Sequence, residues 1–249
     1  MARRRFYVPT QFISGQTAAL PPEQAHHLRD VLRLGVGDMV EIFDGAGSEY
    51  AGTIEACGRE VRVGKLTRLE PARDPVRRVV LAPALIKHDR FEWMLEKATE
   101  LGVSEFVPLM TRYCGLRIPE NRLEARLERW RRIVTGASRQ SGGRHVPVVR
   151  NPVGFGAFLA GCGTVPLARY LLNEDSRQLL APAPSQGAGV LLCIGPEGGW
   201  DSAEVADAVA AGFADFSLGQ SILRSETAAI AAAAMFLIRT SGWMANPNE

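Results

Sequence analysis

The sequence predicts an α/β fold in two parts: a small β-barrel over residues 1–72 and an α/β domain with a mostly parallel sheet over residues 73–249. Two observations lead there. Short apolar strands crowd around a single helix in the first 70 residues, whereas from residue 79 onward apolar strands alternate with amphipathic helices, the pattern of a parallel sheet. A third marks the join: Pro71-Ala72-Arg73-Asp74-Pro75 sets two prolines within five residues, which opposes both helix and central strand.

In the first part, Pro21-Pro22-Glu23 suits a helix start, because proline is tolerated in the first turn. His27, Leu28, Val31 and Leu32 recur at helical spacing, and Gly35 is the expected stop. Strands follow at Met39–Phe43, Tyr50–Ile54 and Val61–Leu66, with a turn at Asp44-Gly45-Ala46-Gly47.

In the second part, Val79–Ala82 is a continuous apolar strand of the kind buried on both faces. Phe91, Met94, Leu95, Ala98 and Leu101 form a helical stripe that Gly102 should end. A strand is expected around Phe106–Leu109, then a helix over 120–138 and strands over 146–149, 165–172 and 190–194. Helix 201–211, strand 213–218 and helix 225–240 complete the alternation, and Pro182–Gly187 reads as a flexible loop.

Composition narrows the class. An apolar content of 46% in 249 residues suffices for an ordinary buried core, and no apolar run approaches the roughly 18 residues that span a bilayer. Arg3, Arg4 and Arg5 precede no apolar stretch, so they do not read as a signal peptide, and a cytoplasmic location is expected. Cys57, Cys114, Cys162 and Cys193 are too scattered for a zinc site or a disulfide framework; four buried free thiols, and no metal, are expected. The net charge is +2 over residues 1–78, +5 over 79–150 and −5 over 151–249, so any polyanion should meet the middle of the chain. A solvated helix face would account for the same charges.

Chemistry concentrates near the C-terminus. Gly195-Pro196-Glu197-Gly198-Gly199 follows the buried strand 190–194, and Asp201 with Glu204 three residues on makes a capping box for the next helix. The edge where such strands end is where open α/β sheets bind ligands, and three glycines let the backbone come close to one. A merely tight strand-to-helix turn would explain Gly199 but not Gly195 and Gly198 as well.

Leu218-Gly219-Gln220-Ser221-Ile222-Leu223-Arg224-Ser225-Glu226-Thr227-Ala228 repeats the arrangement after strand 213–218. Ser225 or Thr227 can cap free amides and Glu226 suits the positive end of the helix dipole. Arg224 is the only cation between Arg177 and Arg239, which suits a cation that holds loops or substrate. The usual dinucleotide, P-loop, serine-hydrolase and zinc-protease motifs are missing, which leaves a nucleotide-like ligand held by backbone turns.

These two segments resemble the signature of the RsmE-type family, SPOUT enzymes that methylate uridine N3 in small-subunit ribosomal RNA. The likeness extends over nearly the whole chain: His27-Leu28-Arg29-Asp30-Val31-Leu32-Arg33 resembles the family's N-terminal PUA-like motif, and Lys87 with Lys97–Val103 its mid-chain motif. Arg112 falls where the family has an arginine after a Pro-Leu strand. One stretch departs. The family reads Glu-Gln-Ser/Cys-Gly-Arg before a Val-Pro strand, and this chain reads Arg139-Gln140-Ser141-Gly142-Gly143-Arg144-His145.

The resemblance implies a SPOUT-type parallel sheet with a C-terminal trefoil knot, a PUA-like RNA-binding barrel, S-adenosylmethionine as cofactor and a homodimer. Carried over residue by residue, the cofactor would lie against Leu172, Ile194, Gly195, Pro196, Glu197, Gly198, Gly199, Leu218, Gly219, Ile222, Leu223 and Thr227. Glu197 or Glu226 would take the imide proton and Arg224 would stabilise the uridine anion. Small-subunit (16S) ribosomal RNA would be gripped by Arg3, Arg4, Arg5, Arg29, Arg33, Lys87, Arg112, Arg139, Gln140 and Arg144. Two other readings stay open: a methyltransferase of the same fold acting on a different RNA, and an RNA-binding relative without activity.

Overall fold

The structure, a computed structural model, describes residues 4–70, 78–164, 166–179 and 189–237. The expected linker at 71–75, the loop at 182–187, Arg3 and the end of the last helix beyond 237 lie outside these residues. The described residues divide into two compact units. The first gathers residues up to 70 together with Thr135–Val146, and the second gathers 78–134 and 147–237. The sequence-based division at residue 72 placed 135–146 with the second part; these residues pack with the first.

The first unit is one six-stranded sheet. Its strands are β1 (Arg5–Tyr7), β2 (Ile13–Ser14), β3 (Thr17–Ala19), β4 (Met39–Phe43), β5 (Glu49–Cys57) and β6 (Val61–Arg68), hydrogen-bonded in the order β1-β4-β5-β6-β3-β2. All pairs are antiparallel except β1 with β4. Two register shifts in the β5–β6 ladder bend it, and Gly52 sits where a Cβ would meet Val63 and Leu66 at 2.7 Å. Phe6, Leu28, Ile42, Ile54, Val61 and Val63 fill the core.

The expected long helix is shorter and less regular. Helix α1 covers Pro22–His26 with proline in its first turn, and the chain then widens into a π-helical turn over His27–Val31, where Leu32 N–H bonds back to His27 O at 3.0 Å. That turn buries Leu28 completely, so core packing decides the local geometry against the regular period.

Arg5 is only 2% exposed, which corrects its assignment to a phosphate. Its Nε donates to Glu49 Oε1 at 2.5 Å, its terminal nitrogens to the carbonyls of Ser138 (3.1 Å) and Gly143 (2.8 Å), and its plane covers the Phe43 ring at 3.8 Å. Arg144 is corrected in the same way: Nε pairs with Glu49 Oε2 at 3.0 Å, and its other nitrogens donate to the carbonyls of Leu69 and Glu70. A guanidinium whose fork is spent on acceptors within the protein has little left for a nucleic acid. The unusual 139–145 stretch is thus a structural tie. Gly47, at φ +114°, leaves room for His145, whose Nε2 would lie 2.6 Å from any Cβ there.

The second unit is an α/β layer. Its main sheet orders β10 (Val148–Val149), β8 (Glu105–Phe106), β7 (Arg78–Pro83), β13 (Gly189–Ile194), β12 (Ala168–Leu172) and β14 (Ala214–Phe216), all parallel, as expected. The expected strand around Phe106–Leu109 is split, because Pro108 has no N–H to give a ladder. Its second half, β9 (Leu109–Met110), pairs instead with β11 (Val153–Gly154). Helix α4 (Phe155–Gly161) had no signal in its glycine-rich sequence; Phe155, packed on Phe158 and Trp200, holds it in place.

Helix α2 (His88–Leu101) buries Phe91, Met94, Leu95 and Ala98 and ends at Gly102 with φ +105°, the left-handed stop that the sequence promised. Helix α3 (Glu120–Ser141) sets Trp130 on Phe91, with ring centres 4.7 Å apart. Helix α5 (Ser202–Ala210) begins with the expected capping box: Asp201 accepts from Ala203 N–H at 3.1 Å and Glu204 from Asp201 N–H at 3.2 Å. Helix α6 (Ser225–Leu237) follows β14 yet packs on α2, β13 and β7. Of the four cysteines, Cys162 and Cys193 are buried, while Cys57 and Cys114 are half-buried, short of the full burial expected for all four.

Candidate active site

Three neighbouring strands end level. Leu172 at the end of β12 is in register with Ile194 at the end of β13 and with Phe216 at the end of β14. Their outgoing loops surround a cavity of about 310 Å³ at the carboxyl edge of the sheet, where an open α/β sheet is expected to bind a ligand.

Each glycine there has a local reason. A Cβ on Gly195 would lie 2.9 Å from Trp200 Nε1, and that indole donates to Leu172 O at 2.8 Å, pinning the loop after β13 to the end of β12. Gly199 has φ +72°, a left-handed turn closed by its N–H on Pro196 O at 3.0 Å. On the third loop Ser217 Oγ donates to Gly219 O at 2.9 Å, with Gly219 at φ +141°. Ser225 Oγ donates to Gly195 O at 2.7 Å, so this hydroxyl joins the two glycine-bearing loops instead of capping helix α6.

Of the residues carried over to the cofactor, Leu172, Ile194, Gly195, Pro196, Glu197, Gly199, Leu218, Ile222 and Leu223 line the cavity, as does Arg224. Gly198, Gly219, Thr227 and Glu226 do not. Gly198 faces Tyr113, whose Cβ would be 3.1 Å from a side chain there. Thr227 points to the exposed side of α6, one residue past buried Glu226. The lining also contains Arg90, Asn173, Glu174, Trp200, Phe216, Ser217 and Ser221, which the sequence did not single out. Arg90 had one available signal: it lies three residues after Lys87, in the first turn of the helix that follows β7.

The cavity is apolar where strands end and charged at its rim. Leu172 and Ile194 form its base; Arg90, Arg224, Glu174 and Glu197 bring two charges of each sign. Arg90 hydrogen-bonds Glu197, whereas the Arg224 guanidinium makes no hydrogen bond or ion pair among the described residues. Beside the cavity, Tyr113 donates to Asp201 at 3.0 Å, and that bond with the carboxylate's charge pushes the phenol up. Burial pushes the Cys193 thiol well up and the Cys162 thiol up, so neither is a thiolate nucleophile at neutral pH.

Among the remaining basic residues, Arg4 is exposed and pairs with Asp38 at 3.0 Å. Arg29 is held by Asp30 at 2.8 Å and by Gly58 O at 2.9 Å. Arg33 is exposed at φ +54°, and Arg139 and Gln140 close helix α3. Burial pushes the neighbouring His27 imidazole down, and the charge of Arg139 adds to the shift. In the second unit Lys87 is exposed and Arg112, 66% exposed, sits 3.4 Å from Asp201.

Comparison with known proteins agrees with this geometry. The RNA methyltransferase domain family matches residues 72–237, and an RNA methyltransferase PUA domain matches 20–60. The chain is 36% identical to ribosomal RNA small subunit methyltransferase E of Synechocystis over 92% of this chain and 75% of that protein. It is 29% identical to the Mycobacterium tuberculosis enzyme of the same name, over 100% and 97%. Among solved structures, ribosomal RNA small subunit methyltransferase E of Neisseria gonorrhoeae bound to S-adenosyl methionine is similar with TM-score 0.84 and 30% identity, covering 94% of this chain and 96% of that one. A Legionella pneumophila methyltransferase in complex with the same cofactor gives TM-score 0.85 at 32% identity, over 95% and 97%.

Proposed function

Since the chain belongs to the RNA methyltransferase domain family, we propose that it transfers a methyl group from S-adenosylmethionine to N3 of a uridine in small-subunit (16S) ribosomal RNA. One observation carries the reading: the two glycine-bearing loops meet, through Ser225 and Gly195, around a single cavity at the ends of β12, β13 and β14.

The residues present suit the cofactor. Gly195 admits the Trp200 indole and Gly199 the left-handed turn that shape the cavity wall, Leu172 and Ile194 offer apolar surface for an adenine, and the lining carries both charge signs for the zwitterionic methionine end. When bound, the cofactor supplies an electrophilic methyl group on a sulfonium. The chain's own task is alignment and proton handling. Arg224, a cation lining the cavity whose guanidinium has no ion-pair partner among the described residues, stabilises the imide anion, and Glu197 at the rim accepts the N3 proton. Leu218 and Leu223 help keep water from the reacting atoms.

The strand order β7-β13-β12-β14 with α6 packed back on β13 and β7 supports a trefoil knot in this segment. The first unit, with its PUA match, would grip RNA through exposed Arg4, Arg33 and Gln140 and half-buried Arg139, and the second through Lys87 and Arg112. A target base within folded RNA would be turned outward. No helix among the described residues is long and apolar enough to cross a membrane, and cytoplasmic homodimers acting on the small ribosomal subunit complete the proposal.

Mass mapping of ribosomal RNA from a strain lacking this protein tests the substrate. Loss of one N3-methyluridine is expected, and its retention would refute the assignment. Isothermal titration with S-adenosylmethionine tests the cofactor, and silence at millimolar concentration would favour an RNA-binding protein without activity.

A further inference from the structure

The cavity has two carboxylates near it whose surroundings differ. Glu197, in the loop after β13, lines the cavity with its side chain 41% exposed. Glu226, second residue of α6, has a side chain 9% exposed, does not line the cavity, and its Oε2 has no hydrogen-bond partner among the described residues. Arg90 reaches both. It hydrogen-bonds Glu197 Oε1, and its Nε lies 3.9 Å from Glu226 Oε1.

A guanidinium is a rigid planar fork that stays charged at any working pH. Placed between two acids, it gives them one fixed counter-charge. The buried acid is the cation's second partner, because a carboxylate removed from water needs one. The cation in turn fixes Glu197 Oε1, and Glu197 Oε2 has no hydrogen-bond or ion-pair partner among the described residues.

We propose that Arg90 is a positioning residue that holds Glu197 at the cavity rim as the proton acceptor, with Glu226 as the buried counter-charge that anchors Arg90. This rests on the reading of the cavity as a uridine methyltransferase site and separates roles that the sequence left shared between the two acids. In each turnover the N3 proton moves to Glu197 and then to solvent, which regenerates the carboxylate. The N3 electron pair forms the new N–CH3 bond, while both electrons of the broken C–S bond remain on the donor sulfur, so charge and atoms balance.

The test is a double-mutant cycle on the full chain: R90Q, E197Q and R90Q/E197Q, with R90K and E226Q beside them. Methyl transfer to small-subunit RNA gives kcat and KM, calorimetry gives the S-adenosylmethionine Kd, and thermal melting checks folding. R90Q is expected to lower kcat about tenfold or more with Kd and KM within about twofold, and R90K to restore part of the loss. The double variant should be no slower than E197Q, since residues acting as a unit are not additive. Additive losses would overturn the proposal, as would a tenfold loss of cofactor affinity in R90Q, which would make Arg90 a cofactor ligand. An unchanged kcat in E197Q would overturn it too, as would an E226Q defect as deep as that of E197Q at full cofactor affinity. Should R90Q melt without cooperativity, R90K against R90K/E197Q carries the same comparison. If the unmutated protein binds cofactor but yields no N3-methyluridine, the substrate reading fails, whatever the cycle gives.

Discussion

Ser225 Oγ donates to the carbonyl of Gly195 at 2.7 Å, joining the first turn of α6 to the loop after β13 across thirty positions of sequence. Both segments line the cavity, so the bond sets the distance between its walls. Ser225→Ala removes the donor and leaves a half-buried carbonyl without that partner, a loss of about 1 kcal/mol. The expected outcome is several-fold weaker S-adenosylmethionine binding by calorimetry with a small drop in Tm; unchanged affinity would show that the walls are held apart by other contacts.

Two glycine-to-alanine changes should act in opposite directions. At Gly195 the new methyl would lie 2.9 Å from Trp200 Nε1 and push the indole off Leu172 O, so overpacking of about 1–3 kcal/mol and a marked loss of cofactor affinity are expected. At Gly156, inside α4, a methyl meets nothing within 4 Å and alanine should stabilise by about 0.5–1 kcal/mol. Paired melting curves decide both.

Glu105 supplies a pH prediction. Burial alone would raise its pKa, but hydrogen bonds from Arg150 (2.6 Å) and Arg78 (2.8 Å) outweigh it and hold the carboxyl below its ordinary value of 4.5. A depressed folded-state pKa contributes stability above the unfolded value, and that contribution disappears as pH falls through the folded value. The Tm gap between the parent protein and Glu105→Gln should therefore be full near pH 7, shrink below pH 4.5 and close under stronger acid. A gap that stays constant with pH would assign the loss to packing.

Arg144 and Arg33 should separate structure from RNA contact. Arg144→Ala strips Glu49 of one partner and frees the carbonyls of Leu69 and Glu70, so it should lower Tm and leave the salt dependence of RNA binding nearly unchanged. Arg33→Ala removes an exposed charge at φ +54° and should lower the salt slope by about one phosphate contact at unchanged Tm. The reverse pattern would exchange their roles.

Much of the second unit was legible because parallel strands buried on both faces read as plain apolar runs, and Gly102 and Asp201-x-x-Glu204 mark helix ends through local backbone chemistry. Helix α4 was not legible: glycine-rich sequence has weak intrinsic preference, and the contact of Phe155 with Trp200, distant in the chain, decides it. Arg5 and Arg144 looked like RNA contacts for a similar reason. A sequence reports that an arginine is charged, not that Glu49 and backbone carbonyls already engage it.

By itself, then, the sequence determined the alternation of strands and helices, the family resemblance and the two loops that line the cavity, since glycines, caps and apolar periods act over a few residues. Only the tertiary structure decided that Arg90 reaches both acids, that Glu226 is buried and does not line the cavity, and that residues 135–146 pack with the N-terminal strands. Those facts depend on which distant groups share space and exclude water, and ion pairs between residues more than a hundred positions apart leave no period to read.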